Sequence, residues 1–171
     1  MTQKANVVFK TLSLPSESTV QLANNFVAQH AGKAAPFFWQ GEANFRAALK
    51  SKDDPEKAII YLSAAEAAYK ASIALDPQNY RAQYGLARVH AKQRRSPAIV
   101  FKSLKPAHDL APQVREITYL IGQNYVNRGE YDKGIALLNQ VVVDSHASGS
   151  KLSKAAQRKL RQARMRKAGA N

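Results

Sequence analysis

At 171 residues, with 45% hydrophobic and 22% charged residues, the chain is long enough for one domain with a core of ordinary size and too apolar to be disordered throughout. Its 26 basic against 12 acidic residues give a formal charge of +14, which favours acidic partners: nucleic acid, anionic lipid or an acidic protein surface. The absence of cysteine excludes disulfides and cysteine-ligated zinc or iron–sulfur sites. No signal-peptide core and no apolar run of membrane-spanning length is evident, so a soluble cytoplasmic protein is expected.

Residues 1–15 carry Val7, Val8, Phe9, Leu12 and Leu14 without a helical period, and read as an N-terminal arm or tail. A first helix is predicted after Pro15, with Ser16 or Ser18 as cap and Glu17 at the positive end of the dipole. Its apolar face is Val20, Ala23, Phe26, Val27 and His30, and Gly32 stops it. Pro36 suits the first turn of a second helix over 36–50, where Phe37, Phe38, Trp39 and Phe45 read as core. A polar turn containing Asp53 and Asp54 precedes an alanine-rich helix over 56–75 with Ile59, Ile60, Leu62, Tyr69 and Ile73. A further helix follows Tyr80, and Ser96-Pro97 opens another whose packing face is Val100, Leu104 and Ala107. Pro106 inside it should kink the helix or cost a backbone hydrogen bond. Over 114–146 two short helices meet at Gly129, the first with Ile117, Leu120, Ile121 and Tyr125, the second with Tyr131, Ile135, Leu138, Val141 and Val142.

Thr118-x-x-Ile121-Gly122-x-x-Tyr125 followed by Gly134-x-x-x-Leu138 resembles the tetratricopeptide (TPR) pattern. A small residue at Gly122 lets the partner helix approach, while Ile121, Tyr125 and Leu138 fill the space between. Thr118 for Trp, Gly134 for Ala and His146 for the closing Pro depart from the pattern. Leu75-Asp76-Pro77-Gln78 recurs as Leu110-Ala111-Pro112-Gln113, 35 positions on, and a third helix end is expected near His146. TPR arrays repeat every 34 residues or so. The middle unit, with Gln83-x-x-Leu86-Ala87-x-x-His90, and a first unit ending in Ala65-x-x-x-Tyr69, are more degenerate. The resemblance implies an all-α helical-hairpin solenoid of about three divergent repeats over 16–146, with a flanking N-terminal helix and a basic segment over 147–171.

No enzyme is read from the sequence: there is no phosphate-binding glycine loop, no nucleophile elbow and no HExxH, and His30, His90, His108 and His146 stand singly. No metal site and no cofactor is expected. The TPR resemblance implies instead a concave groove lined by the first helix of each unit. Its groove-facing positions are Arg81, Tyr84, Arg88 and Lys92 in the middle unit and Tyr119, Gln123 and Asn127 in the last, at helical spacing. Tyr84 and Arg88 are expected to face solvent. An extended peptide, acidic or with a free C-terminus, would suit two tyrosines, two amides and three cations.

No acidic residue occurs after Asp144. Residues 145–150 read as a flexible hinge. Beyond it, Leu152, Ala156, Leu160 and Ala163 form a thin apolar stripe on a helix carrying Lys151, Lys154, Arg158, Lys159, Arg161, Arg164, Arg166 and Lys167. A terminal cap needs polarity of either sign, whereas a phosphate footprint needs cations; both roles stand together here. The sequence thus leads to an adaptor that binds another protein. The alternatives are a nucleic-acid- or ribosome-associated protein using the basic helix, and a small TPR chaperone for a secreted or assembled subunit.

Overall fold

The computed structural model describes residues 16–30, 32–143 and 150–169, and the regular structure among them is helical throughout. The helices are α1 (Ser16–Gln29), α2 (Ala34–Lys50), α3 (Pro55–Leu75), α4 (Tyr80–Lys92), α5 (Pro97–Leu110), α6 (Arg115–Asn127), α7 (Tyr131–Val143) and α8 (Lys151–Ala168). The expected arm over 1–15, the helix end at His146 and most of the expected hinge lie outside the described residues.

Local chemistry sets the helix ends. Asp54 accepts from the Lys57 backbone N–H (2.9 Å) with Pro55 in the first turn, and Ser96 accepts from Ile99 (3.5 Å) ahead of Pro97. Asn79 and Ser150 cap α4 and α8 in the same way, at 3.2 and 3.1 Å. Asp53-Asp54 is therefore turn and cap chemistry. Gly129, with φ of 80°, ends the α6 turn in the left-handed region that suits glycine. Arg94 takes the same region (φ 55°) after α4, where a side chain adds strain.

The chain divides into two compact units, one ending at Arg94 and one beginning at Arg95. The sequence reading treats 16–146 as a single helical domain; the division falls in the turn of its middle repeat. In the first unit α1 packs on α2, α2 on α3 and α3 on α4, and α2 also meets α4. The core is Phe45 and Ala48 of α2, Leu62, Ala65 and Tyr69 of α3, and Ala82, Leu86 and Val89 of α4. Phe37, Phe38 and Trp39 are only half-buried, with Phe38 edge-on to Trp39 at 4.9 Å. Of that expected core quartet, Phe45 alone is fully buried.

In α3, Leu62, Ala65, Ala68, Tyr69 and Ser72 are buried, while Ile59 (63% exposed) and Ile60 (66%) point outward. By length and composition α3 is apolar enough to cross a membrane, which corrects the sequence reading that no run approaches that length. Its buried face is spent on α2 and α4.

The second unit repeats the scheme: α5 on α6, α6 on α7, α7 on α8, and α6 also on α8. Val126, Leu138, Val141, Ala156, Leu160 and Ala163 form its core cluster. Gly134 is the tightest point between α6 and α7. A Cβ there would lie 2.5 Å from Val126 Cγ2 and 2.9 Å from the Gly122 carbonyl oxygen, whereas at Gly122 the nearest atoms, in Leu137 and Leu138, are 3.2 Å away. Thr118, in the aromatic place of the repeat, is buried and donates to the Pro112 carbonyl (2.9 Å). Tyr125 does not fill the α6–α7 interior as expected; it is half-buried and meets Phe101 of α5 edge-on at 5.0 Å. Arg115 donates to the Val141 carbonyl (2.7 Å), satisfying an acceptor at the open end of α7.

Candidate functional site

The first unit brings charged and aromatic groups together on α2 and α4. Tyr69 of α3 has no exposed surface, and its ring lies where two glycines leave room: an added Cβ would stand 2.7 Å from it at Gly41 and 2.4 Å at Gly85. The ring position aims the hydroxyl at Glu42, whose Oε1 accepts its proton at 2.6 Å. The same carboxylate oxygen accepts from Arg88 Nη1 at 3.1 Å, and Arg46 stands 4.0 Å from the other oxygen. Arg88 lies over the Phe45 ring at 4.2 Å and near that of Tyr84 at 5.6 Å. Burial pushes the Tyr69 hydroxyl far above the usual phenol range, and the negative charge of Glu42 pushes it further. Tyr69 is thus a fixed donor, and Glu42 a charged acceptor shared by two helices.

A second polar cluster ties α3 to the end of α4. Glu66 accepts from Lys70 (2.6 Å) and from Gln93 (3.0 Å), with His90 Nε2 3.5 Å away. Its carboxyl is held down to about 2, chiefly by the Lys70 hydrogen bond, with Gln93 and the Lys70 and His90 charges adding against the cost of burial.

Of the α4 residues expected in a groove, Arg81 and Lys92 are exposed and Tyr84 is half-buried. Arg88 does not face solvent as expected: it is half-buried between rings and already paired to a carboxylate. On α6, in the other unit, Tyr119 is half-buried against the Val126–Leu138–Leu160 cluster, Gln123 is half-buried, and Asn127 is exposed but accepts from Lys159 of α8 at 3.1 Å. Glu42, Phe45 and Arg46 are functional candidates that sequence reasoning passed over. The available signal was Glu42 as the sole acid of an aromatic-rich helix, four residues before Arg46.

The basic helix sorts its cations. Lys159 and Lys167 are half-buried and used by the unit, Lys167 pairing with Asp132. Burial and the neighbouring charge of Arg166 lower the Lys159 ammonium below its ordinary range. Lys151, Lys154, Arg158, Arg161, Arg164 and Arg166 are exposed. His30 packs its ring on Phe26 at 4.8 Å. Among the described residues no three His, Asp or Glu side chains gather as a metal site would require.

No family model matches the sequence, and no curated protein matches it. Solved structures do. The TPR protein TTC0263 of Thermus thermophilus superposes with a TM-score of 0.72 at 18% identity, covering 90% of this chain and 77% of that one. The MamA fragment from residue 41 to its end, from Desulfovibrio magneticus, gives 0.66 at 15% identity over 96% and 93%. YrrB, a TPR protein with an unusual peptide-binding site, gives 0.64 at 15% identity over 93% and 76%. With its paired helices, its small residues at close approaches and these likenesses, the chain has the all-α helical-hairpin fold of TPR proteins.

Proposed function

We propose that the chain is a non-enzymatic protein-interaction scaffold, and that α4 of its first unit holds an extended acidic peptide. The observation that carries this reading is the α2–α4 surface on which Phe45, Arg88 and Tyr84 stack, with Arg81 and Lys92 exposed on the same helix. Stacked aromatic and guanidinium groups give broad, rigid contact area, and the two flanking cations select carboxylates. A peptide-binding TPR protein, YrrB, shares the fold, which makes peptide capture a known use of such a scaffold. Because Glu42 already holds Arg88, the charge offered to a ligand comes from Arg81 and Lys92, while Arg88 keeps the aromatic surface in place.

The test uses the full chain as bait in nuclease-treated lysate, followed by affinity measurement with the recovered partner. Arg81→Ala, Tyr84→Ala and Lys92→Ala together should weaken binding by about 2 kcal/mol or more, roughly 30-fold, with the fold intact. A partner bound equally well by this variant sinks the reading. Arg88→Ala is the wrong probe for it, since that change also strips Glu42 of its partner.

A further inference from the structure

A cap and a binding surface make different demands on α8, and the structure separates them. Capping is done by one face: Ser153, Ala156, Leu160 and Ala163 are buried, the apolar three against Val126 of α6 and Leu138 and Val141 of α7. Two of the eight cations belong to that task, Lys159 through Asn127 and Lys167 through Asp132. The remaining six are exposed, and among the described residues none of them pairs with an acid. Four of them, Lys151, Lys154, Arg158 and Arg161, recur at steps of three and four, so they share one outward stripe about 15 Å long. A cap has no use for this stripe. Polar residues of either sign would solvate it, yet it holds no acid and the sequence has none after Asp144.

The chemistry of the stripe narrows its ligand. A helix lying in a membrane surface needs a broad apolar face beside its cations, and the apolar face of α8 is buried in its own unit; Met165 (76% exposed) is the one large apolar side chain left outside. Single-stranded nucleic acid is held by bases stacked on aromatic rings, and α8 contains no aromatic residue. A duplex presents a dense row of phosphates that point charges alone can hold, without reading a base. We infer that the outward face of α8 is a sequence-independent site for the phosphate backbone of a nucleic-acid duplex, with Lys151, Lys154, Arg158 and Arg161 as its main contacts. This site is separate from the peptide surface proposed on α4, and the variants that test it leave α4 untouched.

The probe is a fluorescein-labelled 20-base-pair DNA duplex of arbitrary sequence, with binding to the full chain followed by anisotropy from low to physiological salt. Changing Lys151, Lys154, Arg158 and Arg161 to Gln should weaken binding at least tenfold at low salt. It should also flatten the slope of log affinity against log salt by about 3 to 4, while the melting temperature stays within about 2 °C. Removing the same charge elsewhere, by Lys33→Gln, Lys50→Gln, Lys52→Gln and Lys102→Gln, should cost only a few-fold. A scrambled duplex should bind equally. The inference is overturned if the full chain does not bind the duplex at low salt, or if the two quadruple variants lose the same affinity. Tighter binding to a single strand of equal length, or to phosphatidylserine vesicles, overturns it as well.

Discussion

Tyr69 shows how a single side chain can fix the geometry of a surface it never reaches. It is wholly buried, its ring fills the space left by Gly41 and Gly85, and its hydroxyl holds Glu42 in the position that Arg88 then meets. Glu66 plays the corresponding part at the other end of α4, and its effect should be visible in the pH dependence of stability. Its folded-state carboxyl is lowered from its ordinary value of 4.5 to about 2, so its contribution is fully present above 4.5 and is lost as pH falls from there toward 2. That contribution is on the order of 1–3 kcal/mol. Urea unfolding of the wild type and of Glu66→Gln at intervals between pH 6 and 2 checks this. The wild type should lose stability over that window more steeply than the variant, and parallel curves would mean the Lys70 and Gln93 hydrogen bonds are not formed in solution.

Among the elements, the α6–α7 hairpin has the closest approach of the second unit, and the two glycines there are not equivalent. Helix propensity favours alanine over glycine at position 134 by about 1 kcal/mol, and the TPR pattern has alanine there. The opposing term is contact: a methyl group at Gly134 would meet the Gly122 carbonyl at 2.9 Å and the Val126 backbone nitrogen at 3.0 Å, atoms that move only if a helix moves. Overpacking of this kind costs about 1–3 kcal/mol, so contact wins and Gly134→Ala should be destabilising. Gly122→Ala meets only side-chain atoms of Leu137 and Leu138 as its nearest neighbours, at 3.2 Å, and should be tolerated better. Gly122→Leu, with far more volume, should cost about 1–3 kcal/mol. Thermal melts of the three variants give the order; Gly134→Ala melting at or above the wild type would show that the helices can part without cost.

For the molecule as a whole, α8 finishes the second unit by standing where the first helix of another repeat would stand, against α7 and α6 together. Without it Val126, Leu138 and Val141, each at most 1% exposed, would lose their cover. Leu160→Ala should therefore lower stability by about 2–4 kcal/mol, the cost of a large-to-small change at a nearly buried site. Lys151→Gln with Arg158→Gln, on the opposite side of the same helix, should change it by less than about 0.5 kcal/mol. Chemical unfolding of both variants measures the contrast. Equal losses would mean that the outward cations also hold the cap in place.

Helix starts and stops were legible in the sequence because their causes act within one turn. Asp54-Pro55, Asn79, Ser96-Pro97 and Gly129 bring their own caps, φ preferences or missing N–H with them. The repeat period was legible for the same reason, and it carried the fold class. The buried stripe of α8 also followed from spacing alone. What the sequence did not determine is which side chain meets which. Glu42 and Arg88 are 46 positions apart, and they pair because α2 and α4 both pack on α3 and on each other. The same packing turned Arg88 from an expected ligand contact into an internal one, left Ile59 and Ile60 outside an apolar helix, and divided eight similar cations into two that hold the fold and six that do not. Periodicity specifies a face, but the neighbour on that face is set by the approach distance and rotation of a helix many residues away, and those exist only once the helices have packed.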